Sequence, residues 1–174
     1  MQREPSLDGE LSEVLVRAML RLGEVDEEWL GAVSVRDFCH YAAAVRDDAY
    51  VAEAIAAARQ GRPVAAPPLF ASGIFSWSYG PPESELQANG LDASGSPWTE
   101  GLQVRQVHGG QSVSVHGPLW AGDELVRRRA IVGAEAKHGR SGQFVILTMT
   151  NEIQTVGGRA VCSSEERIVI RAAG

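Results

Sequence analysis

The chain has 174 residues, 44% of them hydrophobic and 22% charged, and a net charge of −6, which fits one globular domain with its own core. The acidic balance argues against a nucleic-acid binder, which needs a basic stripe; the longest basic run, Arg127-Arg128-Arg129, would alternate faces in a strand. No apolar stretch approaches the roughly 18 residues that span a membrane, and the opening MQREPSLDGELSE lacks a signal peptide's apolar core, so a cytoplasmic protein with no membrane partner is expected. The two cysteines, Cys39 and Cys162, are far apart and in no CxxC pattern, and read as two reduced thiols. His40, His108, His116 and His138 form no HxxxH or HExxH spacing, so no metal site is expected.

Taken in order, Leu7–Leu22 is amphipathic, with Leu11, Leu15, Ala18 and Leu22 at helical spacing, Asp8 as N-cap and Gly23 as terminator. A second helix is expected over Ser34–Val45. Ser34 and Asp37 make a capping-box start, and Phe38, Tyr41, Ala42 and Val45 share a face. Asp47-Asp48 interrupts it, and the alanine-rich Tyr50–Gln60 predicts a third helix closed by Gly61. Pro67-Pro68 forces an extended approach. The uncharged Leu69–Tyr79 then predicts a central buried helix beginning near Pro68, stopped by Gly80-Pro81-Pro82. Glu83–Glu100 reads as one long loop.

From Leu102 the period changes to two. Strands are expected over Leu102–Val107, Gln111–His116, Asp123–Glu135, Phe144–Gln154 and Arg159–Arg171, with turns at Gly109-Gly110, Gly117-Pro118, Gly139–Gly142 and Gly157-Gly158. The blocks His108–Leu125 and Lys137–Thr155 read as adjacent antiparallel strands. Helices followed by a four- to five-stranded antiparallel meander make an α+β domain. An N-terminal helical extension over residues 1–30 precedes a single domain over 31–172.

Four segments carry a resemblance: RDFCHYAAAVRDD (Arg36–Asp48), APPLFASGIF (Ala66–Phe75), HGGQSVSVHGPLWAGDEL (His108–Leu125) and GRSGQFVILTMTNEI (Gly139–Ile153). Together they resemble the MaoC-like acyl dehydratases, nearest to the N-terminal, FAS1-type half. The loop Leu91–Gly110 is similar to that of the mesaconyl-CoA and itaconyl-CoA hydratase group. The resemblance implies a hot-dog fold, an antiparallel sheet wrapped around the buried helix. It implies 3-hydroxyacyl or 2-enoyl thioesters as substrates and reversible removal or addition of water across the α,β carbons. No metal or redox cofactor is implied; the substrate carries coenzyme A or phosphopantetheine. Such chemistry needs a base for the α-proton, an acid for the departing hydroxyl and donors for the enolate oxygen. The resemblance puts those donors at the start of the helix after Pro67-Pro68. It puts the acyl path along Pro68, Leu69, Phe70, Gly73 and Trp77 and at Gly109 and Gly110.

Catalytic relatives use an Asp with a His five residues on. Here the same count from Asp47 reaches Ala52, and from Asp48 it reaches Glu53; no histidine lies between His40 and His108. The resemblance therefore implies one subunit of a hydratase/dehydratase, which shapes the acyl tunnel while a second MaoC-like hot-dog chain supplies the Asp/His pair, with a homodimer as the fallback. Asp48, His40 and His108 are the candidate catalytic residues on this chain, with Glu53 as a substitute base. Bland roles stand beside these: Asp47 and Asp48 as a solvated helix end, His40 as a structural histidine, Asp123 as a cap for strand-end amides, Arg140 as an exposed hairpin residue, Trp77 and Trp98 as anchors. Two further functions stay open: a self-sufficient homodimeric enzyme with an atypical acid/base set, and a non-catalytic acyl-thioester binding module.

Overall fold

The computed structural model describes residues 7, 9–74, 83–86, 96–140 and 142–173. Helix α1 spans Gly9–Leu20 and buries Leu11, Val14 and Ala18; of the face expected from spacing, Leu11 and Ala18 are buried, Leu15 is half-buried, and Leu22 is exposed beyond the helix. Strand β1, Val25–Ala32, follows. Helix α2, Val35–Ala44, starts on the expected capping box. The Asp37 amide donates to Ser34 Oγ, and the Ser34 amide donates to Asp37 Oδ2 at 2.8 Å. Helix α3, Asp48–Arg59, is capped by Asp47, whose Oδ1 accepts from the Tyr50 amide at 3.0 Å. A short helix α4, Phe70–Gly73, follows Leu69, which sits at φ 63°.

Three long strands, β3 (Glu124–Gly139), β4 (Gly142–Thr155) and β5 (Ala160–Ala172), form a meander, and β2 (Val104–Val115) and β1 close its two sides. The order is β1-β3-β4-β5-β2, with every pair antiparallel. The α+β class is as expected, and the topology differs from the sequence reading in several places. Gly109-Gly110 is not a turn between two strands but a bulge inside β2, where the register with β5 shifts between His108 and Gln111. The strand of the His108–Leu125 block is not adjacent to β4, because β5 lies between them. The acidic stretch Val25–Ala32 is a strand paired to β3 through Glu27↔Arg128 and Glu28↔Arg127. Helix α1 packs its inner face into one of the two core clusters. The helix expected over Leu69–Tyr79 begins at Phe70; its residues 75–79, Trp77 among them, lie outside the described residues, as do residues 87–95 of the loop 83–100.

Inward-facing positions alternate along each strand, so Leu125, Ile131, Ile153, Met149, Cys162 and Ile170 share one face of the sheet. Two apolar clusters cover that face. One joins α2, α3 and α4 to Leu125, Ile153 and Cys162; the other joins α1 and Trp98 to Ile131, Met149, Leu147 and Ile170. Among the described residues, no helix is long and apolar enough to cross a membrane.

Candidate functional site

A concave site with mixed chemistry lies where α2 meets α4. A cavity of about 290 Å³ is lined by Asp37, His40, Tyr41, Phe70, Gly73 and Ile74. Its floor is aromatic. Phe70 meets Phe38 edge-to-face at 4.8 Å between ring centroids and Tyr41 at 5.5 Å, a geometry favoured by the ring quadrupoles. Phe38 is fully buried and Ile74 nearly so. At Gly73 an added Cβ would come within 3.7 Å of the Tyr41 ring, so glycine keeps this wall open. His40 stands exposed at the rim. Asp37 is committed to the start of α2, which leaves His40 as the imidazole available to this cavity.

The structure gathers His40, Phe70 and Gly73 here and distributes the other candidates. Pro68 and Leu69 lie just before α4, both exposed. The amides of Phe70, Ser72 and Gly73 already donate to the carbonyls of Pro67 and Leu69 at 3.2, 3.0 and 3.3 Å, so these three are committed to the turn itself. Asp48 begins α3 and is exposed, as are Ala52 and Glu53 where a catalytic histidine would be sought. His108 is on β2, with Nε2 3.6 Å from Glu166 Oε2. Gly109 and Gly110 line a separate groove with Gln111, Ser112, Glu165 and Arg167. A third groove, bordered by Tyr50, Glu53, Arg62 and Trp120, runs along α3; there Tyr50 donates its hydroxyl hydrogen bond to the Ala65 carbonyl. Burial, with Cys39 and Asp47 nearby, pushes the Tyr50 phenol up to about 12.

Several of the modest roles hold. Asp123 Oδ2 accepts from the Trp120 amide at 2.8 Å, Arg140 is exposed, and Trp98 is buried. The sequence reading took Tyr41 for core and Asp37 for a cap, and missed both as cavity walls. Tyr41 stands three residues after Phe38, so its place on the aromatic face was legible; the partner that turns that face into a cavity, α4, is remote in sequence.

Comparison with known proteins bears on all of this. Residues 21–164 match the FAS1-like, dehydratase domain region. A UPF0336 protein of Saccharopolyspora erythraea is 39% identical over 67 residues, covering 38% of this chain and 40% of that protein. The chain thus aligns with less than half of that relative's length. In three dimensions it is similar to a chain of the ChsH1-ChsH2 complex from Mycobacterium tuberculosis, with a TM-score of 0.61 at 17% identity, covering 92% of this chain and 90% of that one. It is also similar to the MaoC-like dehydratase from Rhodospirillum rubrum, with a TM-score of 0.57 at 18% identity and coverages of 88% and 94%. The five-stranded antiparallel sheet with its helices on one face is the hot-dog arrangement, and the chain belongs to the FAS1-like dehydratase group of the MaoC-like hot-dog family.

Proposed function

We propose that this chain is one subunit of a cytoplasmic 3-hydroxyacyl-thioester dehydratase or 2-enoyl-CoA hydratase, lining the acyl path while a partner hot-dog chain supplies the Asp/His pair. One observation carries the reading. The α2–α3 segment offers Asp47, engaged as a helix cap, and the exposed Asp48, Ala52 and Glu53, with no imidazole among them. In dehydration a base removes the α-proton, an acid protonates the β-hydroxyl as it leaves as water, and the electron pair of the C–H bond becomes the new double bond. No metal or redox cofactor enters those steps, and the thioester brings its own coenzyme A or phosphopantetheine.

The sheet edges support a partner. Edge β1 carries Asp26, Glu27 and Glu28, charges that discourage strand addition. Edge β2 is uncharged from Gln111 to Val115 and exposes Val113 and Val115, a surface suited to pairing with another chain's strand. The similar ChsH1-ChsH2 structure is a complex of two named chains.

A second reading rests on His40 at the cavity rim: a homodimer that uses this imidazole as its acid and base. Following loss of the conjugated thioester absorbance of a 2-enoyl-CoA separates the two. The subunit reading expects no turnover by the chain alone and turnover once a hot-dog partner with an intact Asp/His pair is added. Turnover by the chain alone that disappears with His40→Ala overturns it in favour of the homodimer. Binding of acyl thioesters with no turnover under any pairing would leave a binding module.

A further inference from the structure

The groove along α3 has a volume of about 260 Å³, and its walls are tied together. One wall is α3 itself. The other is a short backbone pairing between residues 64–66 and 119–121. Ala66 donates to the Leu119 carbonyl at 2.8 Å and Ala121 to the Val64 carbonyl at 3.0 Å, with Ala65 bridged to Trp120. Tyr50 reaches from α3 to that pairing, where its hydroxyl donates to the Ala65 carbonyl. The width of the groove is therefore set by the fold itself, the usual condition of a small-molecule site. Between the walls α3 presents Ala54 and Ala57, 3% and 5% exposed. Their methyl groups leave a depth that longer side chains would fill.

The groove's border carries three kinds of chemistry. Trp120 lines it and is 39% exposed, although apolar burial would favour an indole in the core. The Trp120 amide donates to Asp123 Oδ2 at 2.8 Å, which holds the turn that carries the ring. Arg62 lines the same groove, and its Nε donates to Gln60 Oε1 at 2.9 Å. Arg59, in the last turn of α3, is exposed beside it in sequence. Glu53 is an exposed carboxylate on the α3 wall. An indole face stacks on flat heteroaromatic rings, a carboxylate accepts from an exocyclic amine, and guanidinium groups pair with phosphate. A flat ring that bears an amine and is joined to phosphates answers all three, and an adenine nucleotide has that composition.

We infer that the α3 groove binds the adenine nucleotide of coenzyme A, so that this chain takes coenzyme A thioesters in preference to thioesters on a carrier protein. The inference rests on the acyl-thioester reading of the α2–α4 cavity and narrows its substrate class. Chain connectivity keeps the two openings within reach of one molecule. Ala65 lines the groove and Phe70 lines the cavity; five steps of chain put their Cα atoms no more than roughly 18 Å apart. From sulfur to ribose, coenzyme A has about 17 bonds and extends to roughly 20 Å by ordinary bond geometry. Pro68 and Leu69 are exposed, so the chain joining the two openings comes to the surface there. A carrier's phosphopantetheine ends on the carrier's own serine and brings no base for Trp120.

The test is a calorimetric titration of the purified chain with butyryl-CoA and with butyryl-phosphopantetheine, which share the acyl group and the pantetheine and differ in the nucleotide. Butyryl-CoA is expected to bind at least about tenfold more tightly. Trp120→Ala is expected to lower the butyryl-CoA affinity about fivefold or more and to leave the butyryl-phosphopantetheine affinity unchanged. Trp120→Phe, which keeps a stacking face, should retain most of the preference. Equal affinities for the two thioesters, or a folded Trp120→Ala variant with wild-type affinity for butyryl-CoA, overturn the groove's role and leave the acyl-thioester reading intact. Uptake of neither thioester overturns that reading, and the groove's role with it. If Trp120→Ala does not fold, the wild-type comparison alone decides.

Discussion

Phe38→Ala tests whether the cavity's aromatic floor is as rigid as its geometry implies. Phe38 is fully buried and sits on the inner face of α2. Its ring meets Phe70 at 77° between planes, and Phe70 in turn meets Tyr41. One side chain therefore joins α2 to α4 above the sheet cluster of Leu125, Ile153 and Cys162. Truncating a buried Phe costs about 3–5 kcal/mol through lost transfer energy and the cavity left behind, of which roughly 0.5–1.5 kcal/mol belongs to the ring–ring geometry. For a chain of this size about 2–4 °C is lost per kcal/mol, so the melting temperature should fall by roughly 6–20 °C. Thermal and urea melts of wild type and variant, at one protein concentration so that assembly does not confound them, give the number directly. Phe38→Leu, which keeps much of the apolar volume, should lose about half as much. A Phe38→Ala cost below about 1 kcal/mol would refute the picture of a packed joint and make the α2–α4 cavity a loose surface feature.

Gly109→Ala should disturb the β2 bulge, because its Cβ would lie 3.0 Å from Val169 Cγ2 and 3.1 Å from the Arg167 carbonyl oxygen, and a sheet carbonyl cannot rotate away. A loss of about 1–3 kcal/mol is expected, and a variant that melts like wild type would contradict it. At alkaline pH the fold should weaken in two stages, since burial pushes the Cys162 thiol up to about 11 and the Tyr50 phenol up to about 12. Both groups keep their protons in the folded chain at pH values where the unfolded chain has lost them. Stability is therefore whole below about pH 9 and declines as pH climbs, first through the Cys162 window and then through the Tyr50 window. Melting temperatures measured from pH 8 to 11 check this. Cys162→Ala should flatten the lower part of the slope, and a flat wild-type profile would refute it.

Local chemistry made much of this chain readable. The capping box at Ser34 and Asp37, the periodicity of α1 and α2, and the alternation in β3, β4 and β5 act over a few residues, so the sequence shows them directly. The missing imidazole after Asp47 and Asp48 is a fact of the sequence. His40 was likewise legible as a candidate. What it faces was not, because the opposite wall of the cavity comes from α4, some 30 residues away.

The rest depended on pairing between distant segments. Gly109-Gly110 looks the same in sequence whether it turns the chain or bulges a strand; only β5, continuing alongside from Ile168 to Glu166, makes it a bulge. Val25–Ala32 carries three consecutive acidic residues and few strand formers, and it becomes a strand because Arg127 and Arg128 on β3 face Glu28 and Glu27. The polar positions on the inner face of the sheet are the clearest case. Asn151, between Met149 and Ile153, is visible in sequence as a polar residue at an inward position, yet its meaning comes from register, which brings Arg129, Ser164 and Glu166 onto the same face beside it. Periodicity is a property of the chain's own backbone geometry, whereas register is a property of which strands meet, and that is settled only when the whole sheet closes on its helices.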